Sequence, residues 1–339
     1  RITGASEPQD ASGGLLAIAT SFAYVEKLQF GRAKIALLAV GTDWQTLNLK
    51  AAILVERPRF AMAALSSRFD ERWRRGGADV HPQAVVEPTA KIGAGARIGA
   101  CGYIGAGVVL GERAWLGTHV SVAEGCTIGP DATVMDGVRI GPDVQIGARF
   151  VAHPGAVIGA YGFSFVTPER SAVENVRQTL GDSQGAAPQA YARIHSLGSV
   201  RIGDDVDLGA NSCIDRGTIC DTIVGDGCKF DNLAQVGHNV KIGVNCLICA
   251  QVGIAGSSTL GDNVVLGGQT GVSDNLFIGD NVITGGATKV LSNIPAGRVM
   301  LGYPAMKMDT QLDIYKSIRR LPRMLKDIAQ LKKTISKSE

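Results

Sequence analysis

The chain has 339 residues, a formal charge of +3 and 45% hydrophobic residues, with 44 glycines and only 5% aromatic residues. That length holds two or three domains, the small net charge carries no overall nucleic-acid signal, and no apolar run approaches the roughly 20 residues of a membrane helix. The seven cysteines (Cys101, Cys126, Cys213, Cys220, Cys228, Cys246 and Cys249) are odd in number and scattered, a poor disulfide framework that points to a reducing compartment.

No leader pattern opens the chain. It starts at Arg1 rather than Met, which reads as an N-terminal truncation. Residues 1–79 predict a small α/β domain. Ala33–Val40 and Ala51–Glu56 read as strands, and Pro58 suits the first position of a helix running to Phe69. The charged stretch Glu71–Gly77 reads as a linker, and His81-Pro82 opens the next domain.

From Ile92 every sixth residue is aliphatic or Ala: Ile92, Ile98, Ile104, Leu110, Leu116, Val122, Ile128, Val134, Ile140, Ile146, Ala152, Ile158. Eight of the first ten are followed directly by Gly. The period resumes at Ile202, Leu208 and Ile214, slips by four residues, and runs without error from Val224 to Ile278. Six-residue strands with one inward aliphatic side chain, three to a coil, make a triangular prism in which residues 18 apart stack about 4.8 Å apart. The following Gly is expected to permit the sharp corner. Residues 80–305 therefore predict a parallel β-helix of hexapeptide repeats. Cys228 and Cys246 should stack in neighbouring coils, so Cys246-x-x-Cys249 reads as structural.

Residues 160–199 interrupt the repeat. Tyr161, Phe163 and Phe165 predict a packed aromatic base, and the polar segment around Gly181–Gln189 a mobile tip. After the turn-rich stretches Ile294–Gly297 and Leu301–Ala305, residues 306–339 read as α-helical. Leu321, Leu325, Ile328 and Ile335 share one face, and Pro322 divides two helices. Nine Lys or Arg against four Asp or Glu in residues 301–339 suit either a solvated face with a coiled contact or a dock for an acidic partner.

A β-helix brings no catalytic machinery of its own, so function rests on outward side chains. Of five histidines, His81 and His153 precede Pro in corner settings, His119 lies in a plain repeat, and His195 ends the insertion. His238 is placed differently. It follows the inward Val236 by two residues, and Gly256 lies 18 residues on, one coil above. That pairing sets an imidazole, able to take a proton near neutral pH, beside an unobstructed amide able to hold an oxyanion. Acyl transfer needs both, although a solvated surface histidine fits the same pattern.

The run Ile214-Asp215-Arg216-Gly217, Asp221-Thr222-Ile223-Val224-Gly225, Asp231-Asn232 and Val236-Gly237-His238-Asn239-Val240 resembles the UDP-3-O-acylglucosamine N-acyltransferases of lipid A synthesis. So do Gly159–Phe163, Ile2-Thr3-Gly4 and the Pro58 helix ahead of the prism. The resemblance covers nearly the whole chain. It implies a left-handed prism, against the usual crossover hand, a cytoplasmic homotrimer of Gram-negative type with sites between subunits, and an N-terminal domain that binds uridine. It implies transfer of a 3-hydroxyacyl chain from acyl carrier protein to the 2-amino group of a UDP-3-O-acyl-glucosamine. No cofactor or metal is implied beyond the carrier's phosphopantetheine arm. His238 matches the general base, Gly256 the oxyanion position and Asp231 an acidic residue that orients the base. Gln235 and Asn239 match sugar-nucleotide contacts. Asn275 stands where some members carry a second site histidine. Tyr24 matches one uracil-stacking aromatic, while the other position is Ile18. The insertion 160–199 is longer than the family's usual one.

Three rivals remain open. Another β-helix sugar O- or N-acyltransferase using acetyl-CoA lacks support in the Asp-Arg-Gly block. A metal-dependent hydratase needs converging histidines. A catalytically inactive nucleotide-sugar-binding scaffold draws its support from Asn275.

Overall fold

The computed structural model describes residues 2–70, 79–172, 174–175, 188–302 and 304–335. The expected linker Glu71–Gly77 and most of the expected mobile tip lie outside these residues. The chain forms two compact units, 1–77 and 78–339.

The first unit is a four-stranded parallel sheet in sequence order: Gly4–Ser6, Leu15–Ile18, Ile35–Ala39 and Ala51–Val55. Ala17, Ala36 and Leu38 are buried in its core, with Tyr24 and Trp44 packed at the margin. The helix Pro58–Phe69 starts on its proline as the sequence requires, since the first helical position has no N–H to satisfy. The strands Gly4–Ser6 and Leu15–Ile18 were not anticipated, being short and flanked by Gly and Ser.

The second unit is the predicted prism. Three parallel sheets of ten, ten and nine strands form its faces, and most strands are only two residues long. Trp115 pairs with Thr133 and Thr133 with Val151, so 18 residues make one coil. The inward column, from Ile98 to Val290, is buried nearly throughout, with Phe150 its largest member. Cys228 and Cys246 belong to this column, and each thiol donates to a neighbouring carbonyl, Gly243 O at 3.1 Å and Gly261 O at 3.2 Å. Cys249 sits outside the core, so the Cys-x-x-Cys pair does not converge.

The corners work differently from the sequence expectation. The glycine after each aliphatic residue is, with the exception of Gly159, not the left-handed residue. That conformation falls three residues after the aliphatic one, at Cys101, Arg113, Asp131, Asn239 and their equivalents, with φ near +60°. The glycines are required for space. A Cβ on Gly129 would lie 2.5 Å from the Gly147 carbonyl one coil on. Successive coils therefore touch backbone to backbone at this position.

Call the sheet holding Arg97–Ile98 the first face, the sheet holding Tyr103–Ile104 the second and the sheet holding Val109–Leu110 the third. Both interruptions of the period fall on the edge between the second and third faces. The insertion leaves after the strand Val157–Ala160 and returns at Val200–Ile202, so Ile146 pairs with Ile202, 56 residues on. The four-residue slip lies one coil later, between Cys213–Asp215 and Thr222–Val224. Pairing continues on both sides of each interruption, Ile158 to Ile214 and Ile214 to Val236.

The C-terminal segment corrects a second expectation. Met308–Ile335 is one 28-residue helix with Pro322 inside it, not two helices. Pro322 forfeits one backbone bond and crowds the preceding turn. The Leu, Arg, Met and Lys residues on both sides are strong helix formers that carry the helix through. None of its residues is buried within a single chain. No helix among the described residues is long and apolar enough to cross a membrane.

Candidate active site

The prism's corners follow one hydrogen-bonding rule. The first turn residue of a corner directs its N–H outward, and an Asp or Asn one coil on accepts it. Thr118 donates to Asp136, Val244 to Asp262, Asp262 to Asp280, and Ala210 to Asn232, all at 2.7–2.8 Å. The edge between the second and third faces breaks this rule. There the first turn residues of successive coils are His238, Gly256 and Asp274. Gly256 has no side chain to cap the His238 amide. The Gly256 N–H itself donates to nothing among the described residues. The Asp274 carboxylate accepts from Asn275 Nδ2 at 3.1 Å. Gly237 leaves the space over that amide bare: a Cβ there would lie 2.8 Å from Gly256 N.

The imidazole of His238 fills a slot between two glycines. A Cβ on Gly256 would lie 2.7 Å from Cε1 and Nε2, and a Cβ on Gly162 would lie 2.7 Å from the His238 Cβ. Gly162 comes from the base of the insertion and donates its N–H to the buried Ser196 hydroxyl at 3.2 Å. The ring's Nδ1 lies 3.4 Å from Thr218 Oγ1 and 3.2 Å from Asn239 Nδ2. Asn239 Nδ2 also reaches Ser257 Oγ at 3.5 Å, and Asn239 Oδ1 accepts from the Thr218 N–H at 2.7 Å.

The four-residue expansion builds the floor of this slot. It is stitched to the stem of the insertion by Arg216 N to Ala160 O (2.8 Å), Leu197 N to Thr218 O (2.7 Å) and Gly198 N to Gly217 O (3.0 Å). Arg216 is only 7% exposed, and its Nε donates to Gly198 O at 2.7 Å. Asp221 closes the joint by accepting from Ser199 N at 2.8 Å and Arg201 Nε at 2.6 Å. Its carboxyl is held below the usual range, first by the Ser199 N–H and then by Arg201, against partial burial.

Asp215 is the carboxylate whose charge couples to His238. It is 9% exposed on the strand below. Burial pushes its carboxyl up, while hydrogen bonds from Gln235 and Cys213 and the charge of His238 pull it down. The Cys213 thiol, 3.5 Å from Asp215 Oδ1, is pushed up to about 12 by burial and that neighbour, so it is not a nucleophile near neutral pH.

Most of the sequence-derived residues gather here. His238, Gly256 and Asn239 form the slot, and Gln235 supports Asp215. Asn275 caps the slot from above, its N–H donating to Gly256 O at 3.1 Å. Asp231 does not join them within one chain. It stands on the edge between the first and second faces, where its carboxylate accepts the Asn232 N–H at 2.7 Å. Tyr24 belongs to the other unit. Its half-buried ring packs on that unit's core with the Lys27 ammonium 4.8 Å over it. The pocket of that unit lies at the carboxyl ends of its strands and is lined by Phe22, Gly41, Asp43 and Thr46 rather than by Tyr24. Sequence reasoning missed Gly162, Thr218 and Asp215 as site residues, though all three lie in the motifs it quoted. The signal was the four-residue slip, which shows that the coil beneath His238 is not a plain repeat. The other histidines are accounted for locally. His81 Nδ1 accepts from Gln83 N at 3.2 Å, His153 pairs with Asp207 at 3.2 Å, and His195 meets Tyr161 edge-on.

A family model described as the hexapeptide repeat of succinyl-transferase matches residues 119–148 and 199–232. Repeat, solenoid and edge site together define a hexapeptide-repeat acyltransferase. A UDP-3-O-acylglucosamine N-acyltransferase from Ruegeria pomeroyi is 59% identical over 336 residues, covering 99% of this chain and 92% of that protein. One from Paracoccus denitrificans is 57% identical over 337 residues, with the same coverage. This chain belongs to the UDP-3-O-acylglucosamine N-acyltransferase family. Among solved structures, LpxA from Acinetobacter baumannii matches 70% of this chain and 78% of its own at 19% identity and a TM-score of 0.43.

Proposed function

We propose that the enzyme moves a 3-hydroxyacyl group from acyl carrier protein to the 2-amino group of a UDP-3-O-(3-hydroxyacyl)-glucosamine, a step of lipid A synthesis, with His238 as general base. The names of the relatives support the sugar nucleotide and the nitrogen acceptor. The observation that carries the chemistry is the unbonded Gly256 amide beside the one imidazole of this edge.

Nε2 takes a proton from the amine as its nitrogen bonds to the thioester carbonyl carbon. The carbonyl electrons pass to oxygen, and the Gly256 N–H donates to that oxyanion. When the tetrahedral intermediate collapses, the C–S bond breaks and its electron pair leaves on sulfur. The imidazolium then returns the proton to the thiolate of the carrier's phosphopantetheine arm. The buried Asp215 carboxylate favours the imidazolium while it exists.

The reading takes the enzyme as a cytoplasmic homotrimer in which the site edge of one copy faces its neighbour. Asp231, on the other edge of the second face, would then act on a neighbouring copy's His238. Gln235, Asn239 and Asn275 would contact the sugar nucleotide. The N-terminal pocket would take the uridine. The basic C-terminal helix would dock the acidic carrier.

The test is N-acylation of UDP-3-O-acyl-glucosamine by 3-hydroxyacyl-carrier protein. Loss of roughly 10²–10⁴-fold in His238→Ala, with fold and oligomer intact, is expected of a lost general base. A wild type that transfers only from acetyl-CoA overturns the donor, and a fully active His238→Ala overturns the base.

A further inference from the structure

We propose that Thr218 is the positioning residue that makes His238 a base: its hydroxyl oxygen holds the proton on Nδ1 and so leaves the Nε2 lone pair free for substrate. The inference rests on the reading of His238 as general base and assigns what orients it.

A neutral imidazole carries one proton, and the nitrogen that lacks it is the base. For Nε2, the nitrogen beside Gly256, to accept a proton, Nδ1 must keep its own, and a half-buried Nδ1–H needs an acceptor. Two side chains are recorded within reach of Nδ1. Asn239 offers a donor only. Its Oδ1 is taken by the Thr218 backbone N–H at 2.7 Å, which fixes the amide and turns Nδ2 toward Nδ1. The acceptor left is Thr218 Oγ1, at 3.4 Å.

The same residue thus acts twice, its backbone amide locking Asn239 and its hydroxyl receiving the ring. Asn239 Nδ2 has Ser257 Oγ and Thr218 Oγ1, both at 3.5 Å, as alternative acceptors, so it need not compete for Nδ1. Without the Thr218 hydroxyl, the facing Asn239 donor would draw the ring into the opposite tautomer. Nε2 would then carry a hydrogen and be unable to accept one. Asp215 acts on the ring through charge and does not fill this place. Thr218 is present in this coil only because the period slips by four residues there. A plain hexapeptide corner would not bring a hydroxyl to Nδ1.

The test compares Thr218→Val, which keeps shape and backbone and removes the hydroxyl, with Thr218→Ser, which restores it. His238→Ala is assayed alongside on the full-length enzyme. Thr218→Val should lower kcat on the order of 10²-fold with KM within about threefold, and Thr218→Ser should recover most of it. Histidine ¹⁵N spectra should show Nδ1 protonated in wild type and Nε2 protonated in Thr218→Val. Unchanged kcat and an unchanged tautomer in Thr218→Val, with His238→Ala inactive, would overturn the assignment of Thr218 alone. An active His238→Ala would remove the base reading on which it stands.

Discussion

The site depends on side chains that are absent as much as on those present. Gly256 and Gly162 flank one imidazole, and neither position is forced by its own backbone: neither φ lies in the left-handed region. Both are glycine because the ring occupies the volume of their missing Cβ atoms. Gly256→Ala should therefore fold normally, yet push His238 out of its slot and crowd the free amide. Turnover should fall by at least about 10²-fold, the scale of losing an oxyanion donor, with thermal melting checking that the fold is kept. A Gly256→Ala enzyme with wild-type kcat would mean that the ring is not held where it stands. His238 and Gly256 were legible because 18-residue stacking is arithmetic once the period is known. Thr218 and Asp215 were not, because the slip changes their offset from His238 to 20 and 23 residues, which no single period relates. Asp231 illustrates the converse: a motif residue next to the base in sequence stands on a different edge of the same prism.

The elements that depart from the repeat are coupled to one another. The expansion at Arg216–Asp221 is bonded to the stem of the insertion on one side and to the His238 corner on the other. Asp221 is the electrostatic part of that joint. Its folded-state carboxyl is depressed, so its stabilisation is fully present above the unfolded value near 4 and is lost as pH falls through the folded value. Asp221→Asn should lower stability at neutral pH by about 1–3 kcal/mol, as loss of hydrogen bonds to a charged group does. The gap from wild type should narrow below about pH 4. Urea titrations across that range check it, and a gap independent of pH would show that the carboxylate charge is not what closes the joint. The helix Met308–Ile335 was legible as helix but not in extent. Pro322 has a local cost, which a sequence reading treats as a boundary, and helix-forming flanks outweigh it. The first two strands of the N-terminal unit were invisible for a related reason: a three- or four-residue strand has too few positions to show alternation.

At the scale of the molecule the fold was legible because the prism writes its interior column into every sixth residue. What the period did not reveal was why glycine follows the aliphatic residue. Conformation seemed to demand it, and close backbone approach between coils does. The column fills the prism with one side chain per strand, so a void is not easily filled from elsewhere. Phe150→Ala, at a fully buried position, should cost about 3–5 kcal/mol. Because each coil contacts only its neighbours, the loss should be local. Hydrogen exchange should quicken at the adjoining strands Thr133–Val134 and Asp207–Leu208 before it quickens at Val265–Leu266. Uniform acceleration along the prism would show that it unfolds as one unit.

The ladder register has a further consequence. One step along the site edge is a single inter-strand spacing, whether the chain spends 18, 22 or 56 residues to take it. Sequence length and axial distance are thus decoupled at this edge. A lineage can lengthen or trim its loops here like beads slid onto a rung, while the graduations of the scale that meets the substrate keep their pitch.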